Sequence, residues 1–388
     1  MIFPIQHSSV NWVDGMKISK NHFIDADNHQ LDTIRDGISI PLTSYNFGLL
    51  PPEKGSTTYF EIYMSEKPGN AVEVRLKQCQ AVTLGGCRIS VTSDVQENGI
   101  LLSTVFQGAA LQTVSNNEIS WFEIVLVVNP YERIPKGNPD LEENPPRHPY
   151  SDNRYALQVL PENQLNKSDL GAYHLVIGAI KSRGGQLSPV HQYIPPCTSI
   201  ESHPALLQHY EKFAGSFQML HQQSLRIIKK TYEKNKPSTI AKNYKLLCEK
   251  MLEYNASIFF QLRNTIPKSP PIFLVGCFSS LANVLYTTLH CIPSEEKEEL
   301  LKYTFEWCDI TPSDLEETLL QVVEIRYNHY QIAESMHLVQ QFLTLIQTVW
   351  SRMDSLEFIG QRKENMVVTK EDIKQQVEQP KKRWSILD

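Results

Sequence analysis

Near Pro195-Pro196 the hydrophobic rhythm of this chain changes, and that change limits what the 388 residues can fold into. Upstream, apolar residues come in short runs rich in β-branched and aromatic types: Tyr59 to Met64, Ala71 to Leu76 and Trp121 to Val128. Clusters of Gly, Pro, Asn and Ser bound them, as turns bound strands. Ala71 to Leu76 alternates apolar with polar, the period of a strand with one wet face. Tyr173 to Ile180, the Gly184-Gly185 pair and Gln186-Leu187 read as a hairpin whose glycines supply the positive φ angles. Strands with no helical pattern between them predict an antiparallel sandwich rather than a doubly wound sheet. The Pro- and Asn-dense stretch from Asn129 to Arg154 reads as a long loop, either an ordered arm or a mobile excursion.

Downstream the period is helical. Leu206, Tyr210, Phe213, Phe217 and Leu220 follow a 4-3-4-3 spacing, and the stripe of Ile240, Tyr244, Leu247, Met251, Tyr254 and Ile258 keeps it. Leu338, Phe342, Leu345, Val349 and Met353 repeat it once more. Such stripes must bury themselves against other helices. Helix starts are expected at Ser238, at Ser294 with Glu295 and Glu296 in the first turn, and at Thr311-Pro312. Tyr327-Asn328-His329 reads as a break between two stripes, with His329 either buried and hydrogen-bonded or at an interface. The short connections suit an antiparallel bundle, and the average spacing fits either a monomeric bundle or an oligomeric stalk. The expected class is therefore α+β and multidomain. A β-sandwich over 1–196 precedes a helical bundle over 197–353, and a short polar tail occupies 354–388.

Composition narrows the function. The net charge is −6 and the one tight basic cluster is Lys381-Lys382-Arg383, so no nucleic-acid surface is expected. No signal-peptide pattern opens the chain, and no segment reads as ~20 uninterrupted apolar residues; Pro271 to Leu289 is broken by polar residues. Membrane insertion is not expected. The seven scattered cysteines, none in a C-x-x-C pair, read as reduced thiols of a cytosolic protein rather than as a zinc site.

Hydrolase, P-loop and zincin motifs are absent from the sequence. His22, Asp25 and His29 share a helix face only loosely, and capping or hydrogen bonding is the expected role there. Trp307-Cys308 reads as core. No catalytic residue, metal or cofactor is expected.

One stretch carries a resemblance. Val10 to Phe23 resembles the opening of TssK proteins, baseplate components of bacterial type VI secretion systems, with Trp12, Gly15, Met16, His22 and Phe23 at the matching positions. Leu175 to Ile180 through the Gly-Gly turn to Tyr193-Ile194-Pro195-Pro196 is similar to the family's closing hairpin. Tyr327-Asn328-His329 is similar to the Y-x-H break before its last stalk helix. The resemblance implies a trimeric, non-enzymatic adaptor with a β-sandwich shoulder, a helical stalk and a head. The shoulder would attach to the wedge proteins TssF and TssG, and the head would face the membrane complex of TssL and TssM. Trp12, Gly15, Met16, His22 and Phe23 would then contact the baseplate or a neighbouring subunit, with core packing of Trp12 and Phe23 as the alternative. The family's head is about a hundred residues, whereas 354–388 is short, so the membrane-side partner is left open. In that tail Lys381, Lys382, Arg383 and Trp384 form either a partner-binding peptide or a frayed end. A receptor-binding or tail-fibre protein of a phage-like contractile particle is the rival reading, and an enzyme with a dispersed site the third.

Overall fold

The computed structural model describes residues 4–53, 59–92, 102–107, 120–162, 172–233 and 237–361. It is an α+β protein with two antiparallel sheets and seven α-helices among those residues. Two compact units are interleaved along the chain. The first comprises Met1–Glu211, Gln261–Val275 and Arg326–His337; the second comprises Lys212–Phe260, Gly276–Ile325 and Leu338–Asp388.

In the first unit helix α1 (Lys20–Ser39) precedes the strands. The loosely shared face of His22, Asp25 and His29 is the one sign of it in the sequence reading above. The first sheet is built on β3 (Ala71–Val82), which pairs with β1 (Gly48–Leu49), β2 (Phe60–Lys67), β4 (Arg88–Thr92) and β5 (Leu102–Gln107). Val72, Val74 and Leu76 alternate inward and are fully buried, which is the one-sided burial their spacing predicts. The second sheet runs β7 (Tyr150–Pro161), β6 (Ser120–Lys136), β8 (His174–Arg183), β9 (Gln186–Pro189). Its last two strands are the expected hairpin, with Gly184 and Gly185 at φ +57° and +81°.

Side chains link the sheets. The rings of Phe106 and Phe122 lie 5.0 Å apart. Asn70, left-handed at the β2–β3 turn, donates to the Gly185 carbonyl at 2.6 Å and accepts from the Leu187 N–H at 2.8 Å. Asn tolerates that backbone region better than most residues, which suits it to the turn.

The stretch 129–154 is not the loop its composition suggests. β6 and β7 continue through it, pairing out to Lys136 and Tyr150, with Asp140 and Arg147 forming a further bridge near the tip. Prolines stop a central strand because they cannot donate to the ladder, but a two-stranded ribbon has free outer edges. β8 pairs with β6 only as far as Val127, so Pro135 lies where β6 has one neighbour. Pro130 falls in the bulge between Asn129 and Arg133.

The helices are α2 (Pro204–Tyr232), α3 (Thr239–Asn264), α4 (Pro271–Cys291), α5 (Ser294–Cys308), α6 (Pro312–Val323) and α7 (Ile332–Ser355). In the second unit, Phe278 meets Phe213 and Phe217 edge-on at 5.4 and 5.9 Å. The Tyr244 hydroxyl reaches Thr304 at 2.6 Å, and Trp350 Nε1 donates to the Ser224 hydroxyl at 2.8 Å. Trp307 is buried, as core packing requires, and Cys308 is half-buried.

Three details depart from the helical reading. The α7 core stripe is Val339, Phe342, Ile346, Val349 and Met353, with Leu338 and Leu345 only half-buried. Ser294 is the first helical residue of α5 and Pro293 stands at its N-cap, whereas Ser238 and Thr311 cap α3 and α6 through their hydroxyls. α4 is 21 residues long and its most apolar 18-residue stretch has a mean hydropathy of 1.7, long and apolar enough by composition to cross a membrane. Here its inner face of Leu274, Phe278, Leu281, Leu285 and Leu289 is buried in the protein.

Candidate interaction surface

The motif residues near the N-terminus fold into one small structure. Gly15 adopts φ +77° at a tight turn closed by the Met16 N–H donating to the Val13 carbonyl at 3.2 Å. A side chain there would meet no other atom, so the backbone conformation alone calls for glycine. The turn brings the chain back to the start of α1. The Trp12 ring stands 6.1 Å from the His22 ring and 6.3 Å from Phe23. His22 Nδ1 accepts the backbone N–H of Ser19 at 3.2 Å, a capping role at the helix start.

Trp12, Gly15, Met16, His22 and Phe23 are thus brought together at the surface. Trp12 is 51% and Phe23 59% exposed, which rules out packing in the β core as their role. Val13 and Ile18 beside them are exposed as well. Contiguous exposed apolar groups of this kind mark sites of association.

Beneath this surface lies a polar anchor that sequence reasoning had not singled out. α1 buries Asp32, Arg35 and Ser39 toward the sheets, with Asp32 fully inaccessible. The Asp32 carboxylate accepts the backbone N–H groups of Gln6 and His7 at 2.7 and 2.8 Å, His7 Nδ1 at 3.0 Å and the Tyr131 hydroxyl. Arg35 Nε approaches its other side at 3.4 Å. Burial alone would raise the Asp32 pKa, but the hydrogen bonds from Tyr131, His7 and Gln6 outweigh it and hold the carboxyl well below the usual range. Burial, and then the bond to Asp32, push the Tyr131 phenol far above its ordinary value. Arg35 also reaches the carbonyls of Gly85 and Pro4, at 3.4 and 3.2 Å. The network therefore fastens the N-terminal segment, α1 and β6 together. The Asp32/Arg35 pair at i, i+3 is the only trace of it in the sequence.

His29 Nδ1 donates to the His7 carbonyl at 2.9 Å and does not converge with His22 and Asp25. Among the described residues no group of three His, Cys, Asp or Glu side chains is arranged to hold a metal ion. Burial pushes the Cys79 and Cys87 thiols up to about 12 and about 11, the opposite of nucleophilic activation.

His329, in the break between α6 and α7, is buried. Its Nε2 donates to the Phe47 carbonyl at 2.9 Å and its Nδ1 accepts the Tyr327 hydroxyl at 2.8 Å. The carbonyl can only accept, which fixes the tautomer. Burial lowers the His329 pKa to about 4. Close by in the first unit, Leu49 pairs with the chain after Pro196: its N–H donates to the Pro196 carbonyl at 2.7 Å and its carbonyl accepts the Thr198 N–H at 2.9 Å. The tail residues Lys381, Lys382, Arg383 and Trp384 lie outside the described residues.

No protein-family model matches the sequence, and no curated protein does. Solved structures similar to this chain include a crystal structure of TssK, at 13% identity and a TM-score of 0.49, covering 87% of this chain and 69% of that one. Another is the TssK–TssF–TssG baseplate subcomplex of a type VI secretion system, at 13% identity and a TM-score of 0.45, covering 87% and 100%. A third is TssK from the type VI system of EAEC bound to a nanobody, at 14% identity and a TM-score of 0.44, covering 83% and 96%.

Proposed function

We propose that this protein is a structural adaptor of a type VI secretion baseplate. It is a homotrimer that joins the wedge proteins TssF and TssG to a membrane-side docking complex. In this reading residues 1–196 are a β-sandwich shoulder and 197–353 a helical stalk. The adaptor works in the cytoplasm at the inner face of the envelope, by protein contacts alone, without catalysis or cofactor. Its membrane-side partner is a subunit of that complex which this chain does not identify.

One observation carries the reading. The residues that resemble the TssK opening, Trp12, Gly15, Met16, His22 and Phe23, form a single cluster whose aromatic members face solvent, where a partner can reach them. Large aromatics held by a tight turn make good interface anchors.

The test is the solution mass by light scattering, alone and with purified TssF and TssG. A trimer that joins the wedge proteins is expected. A monomer that ignores them overturns the reading.

A further inference from the structure

Helix α1 is amphipathic the wrong way round for its own fold. Its inward residues are Asp32, Arg35 and Ser39, and its apolar side chains face out. Phe23, Ile24, Ile34 and Ile38 are 59%, 42%, 61% and 41% exposed, and Leu31 is half-buried. Globular helices bury the apolar stripe and wet the polar one, so this stripe is a surface waiting to be covered.

Its geometry specifies what covers it. Ile24, Asp27, Leu31, Ile34 and Ile38 are spaced 3-4-3-4, the a and d positions of a coiled-coil seam. The seam runs about 21 Å along the helix, long enough to engage two heptads of a partner. Beside it lies a cavity of ≈ 130 Å³, walled by Leu31, Ile34, Arg35 and Ile38 on the helix, by Gly86, Cys87 and Arg88 at the start of β4, and by Pro130, Tyr131 and Asn153 on β6 and β7. Holes of this kind take the side-chain knobs of a second helix. A strand would need an open row of backbone donors and acceptors, which α1 does not offer.

Asp27 decides between a second copy and another protein. It occupies a d position in the middle of the seam and is 57% exposed, touching Arg133 at 3.4 Å. Three copies of α1 packed seam to seam along a threefold axis would be parallel and in register, and would bring three Asp27 carboxylates together. Like charges so placed repel. A foreign helix carrying Lys or Arg at the facing position turns the same residue into an attraction.

We infer that the outer face of α1 docks one amphipathic helix of a partner protein, seated on Ile24, Leu31, Ile34 and Ile38, with a cationic side chain opposite Asp27. The inference rests on the baseplate reading for the partner's identity, a wedge protein, and adds the element it contributes and its charge.

The experiment uses the full chain and the purified TssF–TssG complex as probe. Binding is measured for the wild type, Ile34→Glu, Asp27→Lys and Ile34→Leu, with melting temperature and solution mass recorded for each. Wild-type binding is expected, weakened about tenfold or more by Ile34→Glu and by Asp27→Lys but kept by Ile34→Leu, at unchanged melting temperature. A photo-reactive residue at position 34 should capture a Lys- or Arg-bearing helical peptide of the wedge. If the wild type binds and both charge variants bind equally well, the helix inference is overturned while the baseplate reading stands. Wild-type protein that fails to bind the wedge overturns the baseplate reading, and the inference with it. Ile34→Glu dissociating the oligomer would make the occupant a second copy, which overturns the inference alone.

Discussion

A buried carboxylate is useful only when its surroundings supply enough donors, and Asp32 has donors from three separate pieces of chain. Gln6 and His7 come from the N-terminal segment, Arg35 from α1 and Tyr131 from β6. Removing it leaves Arg35 buried without its carboxylate and Tyr131 with only the Tyr173 hydroxyl as a partner. Asp32→Ala is therefore expected to cost about 3–5 kcal/mol, the range for breaking a buried charge pair, measured by urea unfolding. A loss below about 1 kcal/mol would mean the N-terminal segment is held by other contacts. His329 supports a second prediction, in pH. Burial lowers its folded pKa to about 4 against an ordinary 6.5. The unfolded chain thus takes up the proton first as pH falls, so the stability His329 contributes is complete above 6.5 and declines between 6.5 and 4. The span amounts to about 3 kcal/mol at most. His203, which burial also lowers to about 4, tilts the curve the same way. Unfolding free energies measured across that window should slope less in His329→Gln; an unchanged slope would show that other groups set the acid limit.

At the scale of elements, whatever followed a simple burial rule was legible. β2, β3, β6 and the β8–β9 hairpin announced themselves through alternation and turn glycines, and α2 and α3 through their stripes. His329 was readable as a helix-break residue with buried hydrogen bonds, one of the two roles open to it. α1 was hidden because its buried side is polar: periodicity methods look for an apolar stripe facing the core, and here that stripe faces out. The β6–β7 ribbon was hidden by its prolines, which the free edges of a two-stranded arm tolerate. Of the candidate surface, the turn at Gly15 and the aromatics beside it could be read. The Asp32 network could not, because its donors lie up to 99 positions away in sequence. β1 shows how tightly distant pieces can meet. Gly48 has φ +112°, and a Cβ there would lie 2.0 Å from the Pro196 carbonyl oxygen. Gly48→Ala combines backbone strain with a backbone clash, so it should destabilise by at least about 3 kcal/mol. A denaturation midpoint near that of the wild type would show that this crossing can relax.

For the whole molecule, the proposed trimer changes how surface substitutions are read. Three copies present three N-terminal clusters, and attachments that are weak singly become strong when they engage together. Removing an anchor from every copy then weakens each attachment at once, and the losses multiply. Trp12 is the residue to remove, since it is half exposed and its ring contacts are with His22 and Phe23. Little of the fold depends on those contacts, so Trp12→Ala should leave the melting temperature within about 2 °C of the wild type. Affinity of the oligomer for the TssF–TssG complex should fall by more than about tenfold, the loss typical of an aromatic interface anchor compounded by avidity. Surface-plasmon titration beside differential scanning calorimetry separates the two quantities. Loss of both in proportion would make Trp12 a clasp for the start of α1 rather than a contact for a partner. Retention of both would move the attachment elsewhere on the chain, with the seam of α1 the next face to test.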